Sequence, residues 1–160
     1  MNQTVTLTVN GSERSIETDG QRPLLEVLRE ELQLTGPKYG CGESQCSACL
    51  VRLDGVPTRT CTLPVATADG KSITTIEGLA RGDELHPVQT AFLEAGAMQC
   101  GYCTGGMILS AVALLEQNPN PSRQEIVEGM NRHMCRCNGY LKVIDAVRLA
   151  ADSMRQRKER

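Results

Sequence analysis

The chain has 160 residues, of which 40% are hydrophobic and 22% are charged, and its formal net charge at pH 7 is -2. This length accommodates one or two small domains, and the composition predicts a packed core and excludes a disordered chain. The small net charge gives no reason to expect nucleic acid or an anionic membrane as a partner.

The beginning of the sequence lacks the pattern of a targeting segment. Val5, Leu7 and Val9 alternate with polar residues, whereas a secretory signal needs an unbroken apolar run and a twin-arginine signal needs paired arginines. No run approaches the roughly 18 apolar residues of a transmembrane helix. We therefore expect a cytoplasmic chain without membrane insertion, unless a partner carries an export signal.

The first half of the sequence predicts strands around one helix. The predicted strands are residues 4–9, 15–18, 50–53, 56–60 and 71–76. Asn10-Gly11 and Asp54-Gly55 favour tight hairpin turns between the first and second pairs of strands. Pro23 begins a helical pattern of apolar residues that extends to Leu32.

The second half of the sequence predicts four helices. The predicted helices are residues 87–94, residues 104–117, a segment that begins after Ser122, and residues 140–154. Ser122 and Glu125 have the spacing of a capping box. We therefore predict an α+β protein with a small antiparallel helical bundle in its second half. The boundary is expected within residues 77–84, and the charged residues 155–160 are expected to be a solvated helix end.

The eight cysteines are unusual in a chain without a secretion signal. In a reducing compartment they are expected to be metal ligands and not disulfides. The sequence also lacks tryptophan, and its three tyrosines each lie within three residues of a cysteine. A core so poor in aromatic rings would gain stability from bound inorganic clusters.

The first cysteine group has the spacing of a plant-type [2Fe–2S] site. Cys41, Cys46 and Cys49 form a C-x4-C-x2-C pattern, and Cys61 follows on the next predicted hairpin. Each iron of such a cluster takes two thiolates, and the glycines beside Cys41 allow the loop to curl around the sulfurs. The alternative is a structural zinc site, which more often uses paired C-x2-C segments.

The second group, Cys100 and Cys103 with Cys135 and Cys137, is ambiguous when taken alone. Its C-x2-C and C-x-C spacings suit either four-thiolate zinc or a [2Fe–2S] cluster. The predicted helices place all four cysteines at helix termini, where the positive helix ends favour an anionic cluster. We interpret this group as a second [2Fe–2S] site and keep zinc as the alternative.

Three motifs support a resemblance to a known family. They are GCGESQCSAC at residues 40–49, QCGYC at residues 99–103 and CRCNGY at residues 135–140. With these motifs the chain resembles the small iron–sulfur subunit of the molybdenum hydroxylases, and the resemblance extends from about Val5 to Ala151. This family includes xanthine dehydrogenase, aldehyde oxidoreductase and carbon monoxide dehydrogenase. The resemblance implies a β-grasp, plant-type ferredoxin domain at residues 1–78 and a four-helix-bundle [2Fe–2S] domain at residues 79–160.

The resemblance also implies partners and an electron-transfer role. The expected partners are a large subunit that binds molybdopterin and, commonly, a medium subunit that binds FAD, in a heterotrimer or a dimer of heterotrimers. Some relatives lack the FAD subunit and use a cytochrome. Electrons are expected to leave the molybdenum site through the helical-domain cluster, then the ferredoxin-domain cluster, and to reach FAD or another acceptor. Gln99 is expected to hydrogen-bond the pterin, with Cys137 nearby, and no residue of this chain is expected to be catalytic.

Some residues depart from the family pattern. Ser44 and Ser47 stand where relatives usually have glycine, and Gly105 stands where many have proline. If the serine positions require positive φ, each costs on the order of 1 kcal/mol. His86 and His133 are expected to be structural or surface residues, because eight cysteines complete two sites.

Two other functions compete with an enzyme subunit. A free-standing two-cluster ferredoxin is usually strongly acidic, and the charge of -2 argues against it. A zinc-stabilised interaction module would be colourless. The sequence leaves the substrate of the assembled enzyme open among aldehydes, purines, N-heteroaromatics, aromatic acyl-CoA thioesters and carbon monoxide.

Overall fold

A mixed five-stranded sheet forms the first half of the chain in the computed structural model, which describes residues 2–158. Its strands are β1 (Asn2–Val9), β2 (Ser12–Asp19), β3 (Leu50–Leu53), β4 (Val56–Arg59) and β5 (Ser72–Thr74). Their spatial order is β2-β1-β5-β3-β4; β1 and β5 are parallel, and the other neighbours are antiparallel. Together with the helices of the second half, the sheet confirms the predicted α+β class.

Both predicted hairpin turns are present. Asn10 and Gly11 have φ of 50° and 81°, and Asp54 and Gly55 have φ of 49° and 82°. Two successive positive φ values match the right-handed twist of the flanking strands, which is why Asn-Gly and Asp-Gly are favoured there. The strands differ from the prediction mainly at their ends, since β2 begins at Ser12 and β5 covers only Ser72–Thr74.

The helix predicted after Pro23 is shorter and less regular than expected. It begins as one α-turn, α1 (Leu24–Glu26), and continues as a π-helix over Val27–Glu31. Leu24 and Leu28 pack in the core of the sheet, whereas Leu25 packs against Cys49 and Cys61. This short helix therefore connects the sheet core to the cysteines, a division of contacts that the apolar periodicity did not predict.

Four helices follow, and each begins within a residue of its predicted start. They are α2 (Pro87–Glu94), α3 (Thr104–Gln117), α4 (Arg123–Met130) and α5 (Tyr140–Lys158). Ser122 and Glu125 form the predicted capping box, with the Glu125 N–H donating to Ser122 Oγ at 3.2 Å. His86 caps α2 by accepting the Val88 N–H at 3.2 Å on Nδ1, which agrees with its predicted structural role.

The charged end of the chain is a helix end with exposed side chains, as predicted, and two of its arginines make polar contacts. Helix α5 continues past residue 154 to Lys158, Arg155 bonds to Asn120, and Arg157 lies 3.4 Å from Glu84. Residues 159–160 of the predicted tail lie outside the described residues. None of the helices within residues 2–158 is long and apolar enough to cross a membrane.

Helix α3 joins the two halves of the molecule. Arg52 of β3 forms a bidentate ion pair with Glu116 of α3. Gly106 lies so close to the first cysteine loop that a Cβ atom built on it would be 2.2 Å from the Ser47 carbonyl oxygen. The absence of a side chain at residue 106 therefore allows α3 to reach the loop that carries the first three cysteines.

Candidate functional site

The first cysteine loop directs backbone N–H groups at sulfur. The Sγ of Cys41 accepts from the N–H groups of Gln45 at 3.3 Å and of Glu43 and Cys46 at 3.4 Å. The N–H of Cys46 makes the largest contribution, and these donors lower the pKa of Cys41 to about 6. The loop is thus built to stabilise negative charge on sulfur before any metal is considered.

The other two cysteines of this group form its buried side. Cys49 is 1% exposed and Cys61 is 6% exposed, and the Ser44 N–H donates to Cys61 Sγ at 3.3 Å. Burial raises the pKa of Cys49, because a thiolate in an apolar surrounding loses hydration. A cationic metal would offset that cost.

The second cysteine group gathers at helix ends, as predicted. Cys103 immediately precedes α3, and Cys135 and Cys137 lie between α4 and α5. All four cysteines line one small cavity. Burial raises the pKa of Cys103 to about 12, whereas the N–H of Tyr102 lowers the pKa of the exposed Cys100. The site therefore has a buried side at Cys103 and an open side at Cys100.

The eight thiols are all free of disulfide bonds, and in four pairs one thiol shifts the pKa of the other. The pairs are Cys41 with Cys46, Cys49 with Cys61, Cys100 with Cys137, and Cys103 with Cys135. Within residues 2–158, no group of three or more His, Cys, Asp or Glu side chains is arranged to hold one metal ion. Two pairs in each site fit a cluster in which each of two irons takes two thiolates.

A backbone hydrogen bond connects the two cysteine groups. The N–H of Met134 donates to the carbonyl oxygen of Cys46 at 3.2 Å, and Met134 is bonded directly to Cys135. Nearby, the hydroxyl of Tyr102 donates to the carbonyl oxygen of Tyr39. Met134 could not be identified from the sequence, because its backbone N–H makes this bond and residue type leaves no signal for it.

Ser44 and Ser47 have positive φ, 54° and 63°, as their glycine-like positions in the loop suggested. The hydroxyl of Ser44 lies 3.7 Å from Cys61 Sγ and also contacts Thr62 Oγ1. The hydroxyl of Ser47 instead donates to the Arg132 carbonyl oxygen at 2.8 Å. The hydroxyls of the two serines thus make different contacts that offset the strain of positive φ. Of the two, only the Ser44 hydroxyl is beside sulfur.

Replacing Ser44 by glycine is expected to lower the reduction potential of a cluster held at Cys61. A hydroxyl beside the ligand sulfur stabilises the reduced, more negative form, and glycine keeps the N–H donor while removing that hydroxyl. One hydrogen bond of about 0.5–1.5 kcal/mol corresponds to roughly 20–60 mV for one electron. Redox titration followed by electron paramagnetic resonance measures the shift.

The matched control variant is Thr62→Val, which removes the contact between Thr62 Oγ1 and the Ser44 hydroxyl but keeps the Ser44 hydroxyl. We expect it to shift the potential less than Ser44→Gly does. An unchanged or higher potential in Ser44→Gly would contradict the assigned role of the hydroxyl.

Gln99 is exposed and lines the cavity of the second cysteine group together with Cys137. Among the hydrogen bonds within residues 2–158, none involves the Gln99 side chain, and a Cβ built on Gly139 would lie 3.9 Å from Gln99 Nε2. The structure therefore leaves the Gln99 amide available for a group outside the chain.

Comparisons with known proteins agree with two cluster-binding regions. Residues 7–73 match the 2Fe-2S iron-sulfur cluster binding domain family, and residues 75–148 match the [2Fe-2S] binding domain family. The nicotinate dehydrogenase small FeS subunit of Eubacterium barkeri is 48% identical over 93% of this chain and 95% of its own length.

Solved structures repeat the whole fold. Quinoline 2-oxidoreductase from Pseudomonas putida 86 contains a chain that is 39% identical, with a TM-score of 0.92 and coverage of 97% of both chains. Aldehyde oxidoreductase from Desulfovibrio desulfuricans is 45% identical, with a TM-score of 0.91 over 96% of this chain. The match covers only 17% of that aldehyde oxidoreductase chain, so there the same fold is part of a much longer polypeptide.

Proposed function

This chain belongs to the small iron–sulfur subunits of the molybdenum hydroxylases, and from that premise we propose that its eight cysteines hold two [2Fe–2S] clusters in an enzyme that oxidises an N-heteroaromatic compound. It is an electron-transfer subunit of an oxidoreductase and carries out no bond chemistry of its own. When bound, the two clusters supply one-electron redox chemistry between a molybdopterin site and FAD or another acceptor.

The gathering of four cysteines at each site, with backbone N–H groups directed at their sulfurs, is the observation that carries the cluster assignment. In the first site, Cys41 and Cys46 would hold one iron, and Cys49 and Cys61 the other. In the second site the corresponding pairs are Cys100 with Cys137 and Cys103 with Cys135. The N–H groups directed at Cys41 and Cys135 stabilise the anionic sulfurs that such a cluster requires.

We assign the first half to the β-grasp class and the second half to a four-helix bundle. The sheet order, with β1 and β5 parallel at its centre and α1 packed on one face, supports the first assignment. A separate core shared by α2, α3, α4 and α5 supports the second. The proposed boundary stays at residues 78 and 79, after the short 3-10 turn Ile76–Gly78.

The open side of the second cysteine group is proposed to face the pterin of a large subunit. Cys100 is exposed there, and the Gln99 amide has no partner within the described chain. The hydrogen bond from Met134 to Cys46 then holds the second ligand set against the first. This arrangement supports the order helical-domain cluster, ferredoxin-domain cluster and then the acceptor.

A larger partner is indicated by the aldehyde oxidoreductase, in which the matching segment is a small part of one chain. We propose that this partner is a molybdopterin-binding large subunit and that a medium FAD-binding subunit completes a heterotrimer or a dimer of heterotrimers. A cytoplasmic location is part of the same proposal.

The names of two full-length matches, nicotinate dehydrogenase and quinoline 2-oxidoreductase, refer to N-heteroaromatic compounds and support that substrate class.

The test is electron paramagnetic resonance of the complex purified from its native host and reduced with dithionite, with iron and molybdenum quantified. We expect two distinct S = 1/2 signals, about four irons per chain and molybdenum in a copurifying subunit. Nicotinate or quinoline should reduce the clusters, whereas an aldehyde should not. Zinc in place of iron would reject the cluster assignment, and reduction by aldehydes alone would reject only the substrate class.

Replacing Gln99 by alanine is expected to slow electron entry without changing either cluster. The variant should keep both resonance signals and the full iron content, because Gln99 is not a ligand and is exposed. Loss of one charge-neutral hydrogen bond to the pterin, about 1 kcal/mol, should slow substrate-driven reduction by roughly fivefold. Stopped-flow absorbance of the complex measures this rate, with the exposed, remote Gln21→Ala as control.

A further inference from the structure

A second cavity, distinct from both cysteine sites, lies where the sheet meets the helices. This seam cavity has a volume of about 330 Å³ and is lined by residues of β3, β4, α3 and the end of α4. Two arginines, Arg59 and Arg132, are part of its lining, whereas no aspartate or glutamate is. The cavity is therefore a cationic recess that nothing in the proposed electron-transfer role explains.

The two arginines have no anionic partner within residues 2–158. The guanidinium–carboxylate pairs of those residues involve Arg22, Arg52, Arg155 and Arg157. Arg59 donates only to neutral oxygens, Ser47 Oγ at 2.8 Å and the Arg132 carbonyl at 3.5 Å. Most of the N–H donors of both guanidinium groups are thus unused, and they suit the two oxygens of a planar anion.

The rest of the lining combines one polar group with apolar walls. His133 is 5% exposed, its Nε2 lies 2.8 Å from Ser110 Oγ, and its Nδ1 is buried without a hydrogen-bond partner. The walls are contributed by apolar side chains, namely Leu50, Pro57, Ala113 and Leu114. Apolar walls beside two arginines favour an anion that carries a hydrocarbon part over a fully hydrated inorganic anion.

We propose that the seam cavity binds a carboxylate on a short apolar stem, with its oxygens on Arg59 and Arg132 and its stem against Leu50 and Leu114. A free organic acid and an acidic side chain of the large subunit have this same chemistry. Binding would fix the contact between the sheet and the helices, because Arg59 belongs to β4 and Arg132 follows α4.

Isothermal titration calorimetry of the full chain, with both clusters loaded, tests the proposal with benzoate and inorganic phosphate as probes. We expect benzoate to bind, and Arg59→Gln and Arg132→Gln each to weaken it by about tenfold, since one charged hydrogen bond is worth about 1.4 kcal/mol or more. Arg14→Gln, at an exposed position of β2, should leave the affinity unchanged. The visible spectrum of each variant verifies that both clusters remain.

Absence of benzoate binding, an unchanged affinity for benzoate in either arginine variant, or tighter binding of phosphate would each overturn the proposal. The same titration on the complex with the large subunit separates the two sources. Persistent benzoate binding identifies a free organic acid as the ligand. Loss of benzoate binding in the complex identifies a carboxylate of the partner if Arg59→Gln and Arg132→Gln also assemble less well with the large subunit. If both variants assemble normally, the loss of benzoate binding would overturn the proposal.

Discussion

Replacing Cys46 by alanine is expected to remove the first cluster and to leave the second in place. Iron should fall from about four to about two per chain, and one of the two S = 1/2 signals should disappear. The reason is that Cys46 pairs with Cys41 in a loop whose N–H donors serve that site alone. Iron analysis and electron paramagnetic resonance of the purified chain measure the loss.

Cys103→Ala is the reciprocal variant, because Cys103 belongs only to the second group and pairs with Cys135. It should remove the other resonance signal and the same amount of iron. Cys46→Ser keeps an oxygen ligand in the first site, so it should retain more iron than Cys46→Ala. The assignment of ligands fails if Cys46→Ala and Cys103→Ala remove the same signal, or if either retains both.

Replacing Gly106 by alanine is expected to separate α3 from the first cysteine loop. The new Cβ would lie 2.2 Å from the Ser47 carbonyl oxygen, which is backbone and cannot rotate away. Overpacking of this kind costs about 3 kcal/mol, equivalent to a fall in Tm of roughly 6–12 °C for a chain of this size. Because Ser47 lies between Cys46 and Cys49, we also expect faster loss of visible absorbance on heating.

Gly105→Ala provides the matched control on the same helix. A Cβ at residue 105 would lie 3.4 Å from the Gly36 carbonyl oxygen, an ordinary contact distance. Alanine is also the better helix former by about 1 kcal/mol, so this variant should be as stable as the native chain or more stable. Thermal unfolding followed by far-UV circular dichroism compares the two, and equal stability of both variants would contradict the assigned close approach.

Local chemistry explains which parts of the fold were predicted correctly. The hairpin turns at Asn10-Gly11 and Asp54-Gly55 and the capping box of Ser122 depend on residues that are adjacent or three apart, and their signals lie in residue type. The starts of the four later helices follow from the same kind of signal. The π-helical part after α1 was missed because its apolar spacing fits an ordinary helix equally well.

The cysteine groups could be identified from spacing, but not their pairing or their connection. The proximity of Cys100 to Cys135 and Cys137 depends on how the segment before α3 lies against the segment before α5. The bond from Met134 to Cys46 and the approach of Gly106 to Ser47 join residues that are far apart in the chain. Such contacts are decided by tertiary packing, and a single sequence carries no separate signal for them.

Ser47 has a consequence for how chains of this family can be recombined. Its hydroxyl donates to the carbonyl oxygen of Arg132, and its own carbonyl oxygen lies against Gly106. One residue of the sheet half therefore contacts the helical half at two positions. A chimaera that joins residues 1–78 of this chain to the helical half of a relative would need a compatible surface at both places. The two halves resemble separate modules in sequence, but they are expected to evolve as one inherited unit.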